Sequence, residues 1–236
     1  MSRYRKTGSL WRSLGEMRAP LELATTLAAF PFLAGGPRGD AHSSIVLPGL
    51  FASDTSTATL RAFLRSRGYN ALGWGLGRNP GFGTGLLDAM VALTQAEFRR
   101  SGRPVSLVGW SLGGVYARET ARKAPDAVRC VITLGSPIQL DERTRRAPPV
   151  PSTAIFSVSD GVVAPHWARE ITGDRTENIE VPGSHFGLGY NPFVLHAVAD
   201  RLRQRPDDWK SFEVSGLVAR FYRGGPIGDS PELQVR

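Results

Sequence analysis

The chain has 236 residues and a formal net charge of +8, from 29 lysines and arginines against 21 acids. That length suits one large domain with tails, and the hydrophobic share of 41% matches an ordinary folded chain rather than a disordered one. A single cysteine, Cys130, excludes an internal disulfide and any cysteine-rich metal site.

The positive charge comes almost wholly from arginine, since Lys6, Lys123 and Lys210 are the only lysines. Most of it reads as solvated helix faces. Weak attraction to anionic membrane surfaces is the sharper alternative. No nucleic-acid-binding motif accompanies the charge, so nucleic acid is not an expected partner.

In chain order, the first segment is basic and then apolar. Residues 20–29 pattern as a helix with Leu21, Ala24, Leu27 and Ala28 on one face and Pro20 at its start. This run is too short to span a bilayer and is interrupted by Glu22 and Pro31. A signal peptide could be drawn to end near Ala34, but the basic region is long and the apolar run broken. The expected placement is cytoplasmic, with the helix packed on the core or lying at a membrane surface. The division is therefore a basic leader with its helix (residues 1–43), a folded domain (44–223) and a loose tail (224–236).

Residues 44–47 form a buried-strand run closed by Pro48-Gly49. Asp54 is placed to cap a helix carrying Leu60, Phe63 and Leu64, which Gly68 stops. A strand over 69–74 leads into a glycine-rich loop containing Asn79-Pro80. Leu86, Leu87, Met90, Val91 and Phe98 mark a long helix ended by Gly102 and Pro104. Then a strand from Val105 runs into Gly109-Trp110-Ser111-Leu112-Gly113-Gly114, followed at once by a helix to about Lys123.

That is the G-x-S-x-G pattern in its strand–turn–helix setting. A serine on so sharp a turn leaves no room for side chains two positions before and after it, hence the glycines. The turn exposes the Ser111 hydroxyl and directs the Leu112 N–H toward what the serine attacks.

Strands over 128–134, 153–158 and 178–181 follow, with a last helix from Asn191-Pro192 bearing Val194, Leu195, Val198 and Leu202. Cys130, inside an apolar run, reads as a buried small hydrophobe. Alternating strands and helices predict an α/β fold with a mainly parallel sheet, whose sites lie at the carboxyl ends of the strands.

Two further loops at such ends carry Asp160-Gly161 and Ser184-His185-Phe186. A serine hydroxyl needs a neutral imidazole to take its proton, and a carboxylate to fix that imidazole's tautomer. Ser111, Asp160 and His185 have the right types in the right order. Asp141 and Glu142 compete for the acid, and His166 lies close enough in sequence to line the site. His42 sits at the amino end of its strand, the wrong edge, and His196 lies inside the last helix. The second oxyanion donor falls to the Leu50 N–H after Pro48-Gly49. Phe51, Trp110 and Phe186 are candidate pocket residues, with core packing equally open for Trp110.

With these residues, the chain resembles the α/β-hydrolase superfamily, and within it small bacterial lipase- and esterase-like hydrolases. The resemblance rests on Pro48-Gly49, the Gly109–Gly114 motif, Asp160-Gly161 and His185, and covers about residues 44–204. It implies a central sheet with helices on both faces and metal-free, cofactor-free hydrolysis of an ester through an acyl-enzyme. Many relatives carry His-Gly where this chain has Pro48-Gly49, and the connection 135–151 is too short and proline-rich for a helical cap. The open site this implies suits a long or bulky acyl chain, on a small-molecule or lipid ester. An acyltransferase or thioesterase would use the same residues. A non-catalytic membrane adaptor on a hydrolase scaffold is the alternative of another class.

Overall fold

The computed structural model describes residues 35–83, 85–171 and 173–223, together with Ala29 and Leu33. The predicted amino-terminal helix, its membrane role and the tail from 224 lie outside the described residues. Leu33 is buried in the core.

Six strands form one sheet: β1 (Ser43–Leu47), β2 (Asn70–Gly73), β3 (Val105–Trp110), β4 (Val128–Leu134), β5 (Ser152–Phe156) and β6 (Thr176–Glu180). Their order is β2-β1-β3-β4-β5-β6 and every pairing is parallel. Among the described residues five α-helices accompany them: α1 (Ala58–Ser66), α2 (Leu86–Ser101), α3 (Leu112–Lys123), α4 (Glu142–Arg145) and α5 (Pro192–Arg203).

The strands read as apolar runs because both faces are covered. Val46, Val108, Ile132 and Ile155 pack with Leu60, Phe63 and Leu64 of α1 and Val194, Leu195 and Val198 of α5. On the other face Ile45, Leu47, Leu107 and Val131 pack with Met90 of α2 and Val115 and Ala121 of α3. The chain first moves outward from β1 to β2, then returns past β1 to β3. This reversal puts a crevice between the carboxyl ends of β1 and β3, where ligands of open parallel sheets bind.

Local chemistry sets most boundaries as expected. Gly102, at φ 66°, closes α2 and donates its N–H to Phe98. Asn191 caps α5 by accepting from the N–H groups of Phe193 (2.9 Å) and Val194 (3.4 Å), with Pro192 in the first turn.

One expectation needs correction. Asp54 does not cap α1. It begins a 3-10 turn, and its carboxylate instead accepts from the N–H groups of Trp74 (2.9 Å) and Gly75 (3.1 Å), clamping the end of β2. Gly73 makes this possible, since a Cβ there would fall 2.5 Å from that carboxylate. On α2 the fully buried stripe is Met90, Thr94 and Glu97, while Leu86, Leu87 and Phe98 are only partly buried. Glu97 goes inward because its carboxylate meets the Ser43 hydroxyl and Arg100. The connection after β4 holds one short helix, α4, pinned by the buried Arg118, which donates to the carbonyls of Thr144 (3.0 Å) and Arg146 (2.8 Å).

At the amino end of the sheet His42 is buried. Its Nδ1 lies 2.5 Å from Asp40 and its Nε2 lies 2.8 Å from the Ser106 hydroxyl. Burial is the largest influence on this ring and pushes its pKa below 6.5; Asp40 acts against that and does not overcome it. The folded state thus favours the neutral ring, so its contribution to stability is complete above the ordinary value and is lost as pH falls through the lowered one. The melting temperature is expected to fall as pH drops from about 7 to 5, and His42→Gln to flatten that slope. Scanning calorimetry across this range checks it; an unchanged slope in the variant removes His42 as the cause.

Candidate active site

β3 ends at Trp110 and α3 begins at Leu112, so Ser111 alone makes the turn, at φ 54° and ψ −125°. A side chain at positive φ is strained and persists only where its surroundings fix it. Here the Ser111 N–H donates to the Leu134 carbonyl (2.8 Å) and its carbonyl accepts from Gly114 (3.0 Å). A Cβ at Gly109 would collide with the backbone of Gly113 and Gly114, and one at Gly113 with the carbonyl of Leu47. One at Gly114 would strike the Ser136 hydroxyl. The motif glycines therefore let α3 sit directly against the ends of β1 and β3.

The loop after β1 closes over the serine. A Cβ on Gly49 would come within 3.1 Å of the Ser111 Cβ and 3.7 Å of its Oγ. The N–H groups of Leu50 and Leu112 have no hydrogen-bond acceptor among the described residues. Leu112 is the first residue of α3, where the helix dipole favours negative charge.

Beyond β5 the chain turns so that the Asp160 N–H meets the Ser157 carbonyl (3.3 Å). One Asp160 oxygen, Oδ1, accepts from the N–H groups of Val162 and Val163, both at 2.8 Å. The other, Oδ2, lies 2.7 Å from Nδ1 of His185. Both side chains are nearly sealed from solvent, at 2% and 3% exposure. Their loops are tied together by the Ser159 hydroxyl, which donates to the Gly183 carbonyl (2.9 Å). Trp110 adds a second tie: its indole N–H donates to the His185 carbonyl (3.1 Å).

Of the candidate acids, the structure brings Asp160 to His185. Asp141 and Glu142 are exposed at the start of α4, where Asp141 bonds to Thr144. His166 stands on a 3-10 turn with its ring against Trp167, and His196 on α5 faces Phe212 and Tyr222. Of the candidate pocket residues, Phe51 and Phe186 are exposed, as is Leu50. Trp110 is buried in the core. Among the described residues no cluster of His, Cys, Asp or Glu is placed to hold a metal ion.

Two contributors escape a reading of the sequence. Gly135, at φ 53°, lies beneath the acid and base; a Cβ there would fall 2.9 Å from Asp160 Oδ2 and 3.3 Å from His185 Nδ1. Its position directly after β4 is a usable signal. Asn79 is fully buried and bonded to the loop over the serine. Its neighbours in a glycine-rich loop give it the look of an ordinary turn residue.

The fold is that of the α/β-hydrolases: a parallel central sheet flanked by helices with minimal insertions. Similar solved structures include lipase B of Aspergillus fumigatus, with TM-score 0.58 and 17% identity over 71% of this chain and 54% of that one. The pyrethroid hydrolase PytH matches with TM-score 0.57 and 17% identity, over 71% of this chain and 99% of that one. A predicted CIB-like hydrolase from Thermoplasma acidophilum matches with TM-score 0.53 and 19% identity, over 70% and 87%. The chain thus spans about half the length of the Aspergillus lipase and nearly all of the pyrethroid hydrolase. No protein-family model matches the sequence, and no curated protein matches it either.

Asp40, His42 and Ser106 form an acid–histidine–serine chain at the opposite end of the sheet, but Ser106 is wholly buried. A fluorophosphonate probe is therefore expected to modify the peptide containing Ser111 and leave Ser106 untouched. Peptide mass spectrometry checks this; an adduct on Ser106 would overturn the distinction between the two ends.

Proposed function

We propose that this protein is a serine hydrolase of carboxylic esters. Ser111 is the nucleophile, His185 the general base and then acid, and Asp160 the carboxylate that orients the imidazole. The observation that carries this is the buried Asp160–His185 hydrogen bond of 2.7 Å, set at the same sheet end as a serine held at positive φ.

The Asp160 carboxylate accepts the Nδ1 proton of His185, which leaves Nε2 unprotonated. Nε2 takes the Ser111 proton as Oγ attacks the ester carbonyl. The tetrahedral oxyanion is met by the N–H groups of Leu50 and Leu112. His185 then gives its proton to the leaving alcohol, and a water molecule, activated by the same ring, releases the acid from the acyl-enzyme.

Exposed Leu50, Phe51 and Phe186 favour an ester with an apolar acyl chain, as a small molecule or a lipid. No described helix is long and apolar enough to cross a membrane. The proposed setting is the cytoplasm, where the net charge of +8 gives weak, salt-sensitive attraction to anionic lipid surfaces.

A p-nitrophenyl ester series of graded chain length is expected to give turnover that vanishes in Ser111→Ala. Asp160→Asn is expected to keep the fold and lose on the order of 10³- to 10⁴-fold in kcat, through the wrong tautomer. Undiminished turnover in Ser111→Ala would overturn the reading. Acyl-CoA substrates or alcohol acceptors preferred over ester and water would redirect it to a thioesterase or acyltransferase.

A further inference from the structure

The loop that would supply the Leu50 N–H is held from outside by one residue. Gly49 to Ala52 is a four-residue turn closed by the Ala52 N–H on the Gly49 carbonyl (3.1 Å). Phe51, its third residue, has φ 58°. That is the backbone of a type II turn, in which glycine is the usual third residue. A phenylalanine there is strained and must be fixed by its surroundings.

Asn79 fixes it from both sides. Its side-chain NH₂ donates to the Pro48 carbonyl (3.0 Å). Its own carbonyl accepts from the Phe51 N–H (2.7 Å), and its N–H donates to the Ala52 carbonyl (2.8 Å). Its remaining side-chain atom, Oδ1, accepts from the Gly81 N–H (3.1 Å), which fixes which way the amide faces. The Gly81 carbonyl in turn accepts from the buried Tyr116 hydroxyl of α3 (2.7 Å). Asn79 itself has no solvent exposure.

The peptide from Pro48 to Gly49 is thus held by its carbonyl, and the peptide from Leu50 to Phe51 by its N–H. Between them lies the peptide that carries the Leu50 N–H. A flip of that peptide would break the bond of its Gly49 carbonyl to the Ala52 N–H, and Asn79 holds both ends of the turn that this bond closes.

We propose that Asn79 is a positioning residue that keeps the Leu50 N–H directed at the developing oxyanion, so that this half of the oxyanion hole is preformed. This rests on the serine-hydrolase reading above. A donor fixed in advance contributes in the transition state far more than in the substrate complex. Loss of the Asn79 side chain should therefore act on kcat and leave KM nearly unchanged.

The test begins with wild-type protein and Ser111→Ala on a p-nitrophenyl ester. Absence of Ser111-dependent turnover would overturn the hydrolase reading itself. Given that turnover, Asn79→Ala with an intact circular dichroism spectrum is expected to lower kcat on the order of 10²-fold while KM changes less than about threefold. A folded variant with wild-type kcat would overturn the role of Asn79 and leave the hydrolase reading standing.

Asn79→Asp keeps the size and the acceptor for Gly81, and covers the case in which Asn79→Ala does not fold. The introduced carboxyl group cannot donate to Pro48 when ionised; protonated, it can. The ratio of variant to wild-type kcat is therefore expected to rise as pH falls. A pH-independent ratio would overturn the proposal.

Discussion

The site depends on how closely α3 approaches the sheet. A serine at φ 54° turns the chain from strand to helix in one residue, which a longer loop would do without strain. The gain from the sharp turn is position. With Gly109, Gly113 and Gly114 bare of side chains, the first turn of α3 rests on the end of β1, and the serine stands beside Gly49. The same closeness brings the loop that carries Leu50 against Ser111. Strain at Ser111, the register of β1 against β3 and the placement of both loops are one geometric solution. Enlarging any of these glycines would disturb all of it.

The two ends of the sheet make an instructive pair. Each holds an acid, a histidine and a serine, with Asp160 bonded to His185 at one end and Asp40 to His42 and on to Ser106 at the other. Residue types and short distances do not distinguish them. Backbone does. Ser106 lies within a central strand with its hydroxyl packed beside the Cys130 thiol, whereas Ser111 lies beyond the strand on a strained turn. Arg103 and Arg129 also engage Asp40, so the amino-end group joins a buried histidine and serine to an exposed ion-pair network.

Legibility in the sequence follows how local the causes are. The elbow, the Asn191 cap and the Gly102 stop depend on neighbours within a few residues, and all three are readable from the chain. The sheet follows from alternating apolar runs. Asp54 misleads because its partners, Trp74 and Gly75, lie a whole helix and strand away; locally it has every mark of a cap. Glu97 turns inward toward Ser43, 54 residues earlier, against the apolar pattern of its own helix. Asn79 and Gly135 act on the site only through contacts made by folding, and a glycine-rich loop gives no local sign of which residue will be buried. Asp160 can be separated from Asp141 by its place at a strand end, but its two backbone donors belong to the folded loop.

The strand order carries a consequence for how the protein is made. Among the described strands β1 comes first in the sequence yet lies inside the sheet, with β2 on one side and β3 on the other. As the chain emerges from the ribosome, β2 begins at Asn70, soon after β1, while β3 follows only at Val105. In the interval the inner edge of β1, with its buried residues Ile45, Val46 and Leu47, has no partner among the described residues. An unpaired apolar strand edge is the form of a growing chain most open to misassociation. The arrangement that sets Ser111 beside Gly49 in the finished protein also makes β1 the strand most dependent on shielding during synthesis.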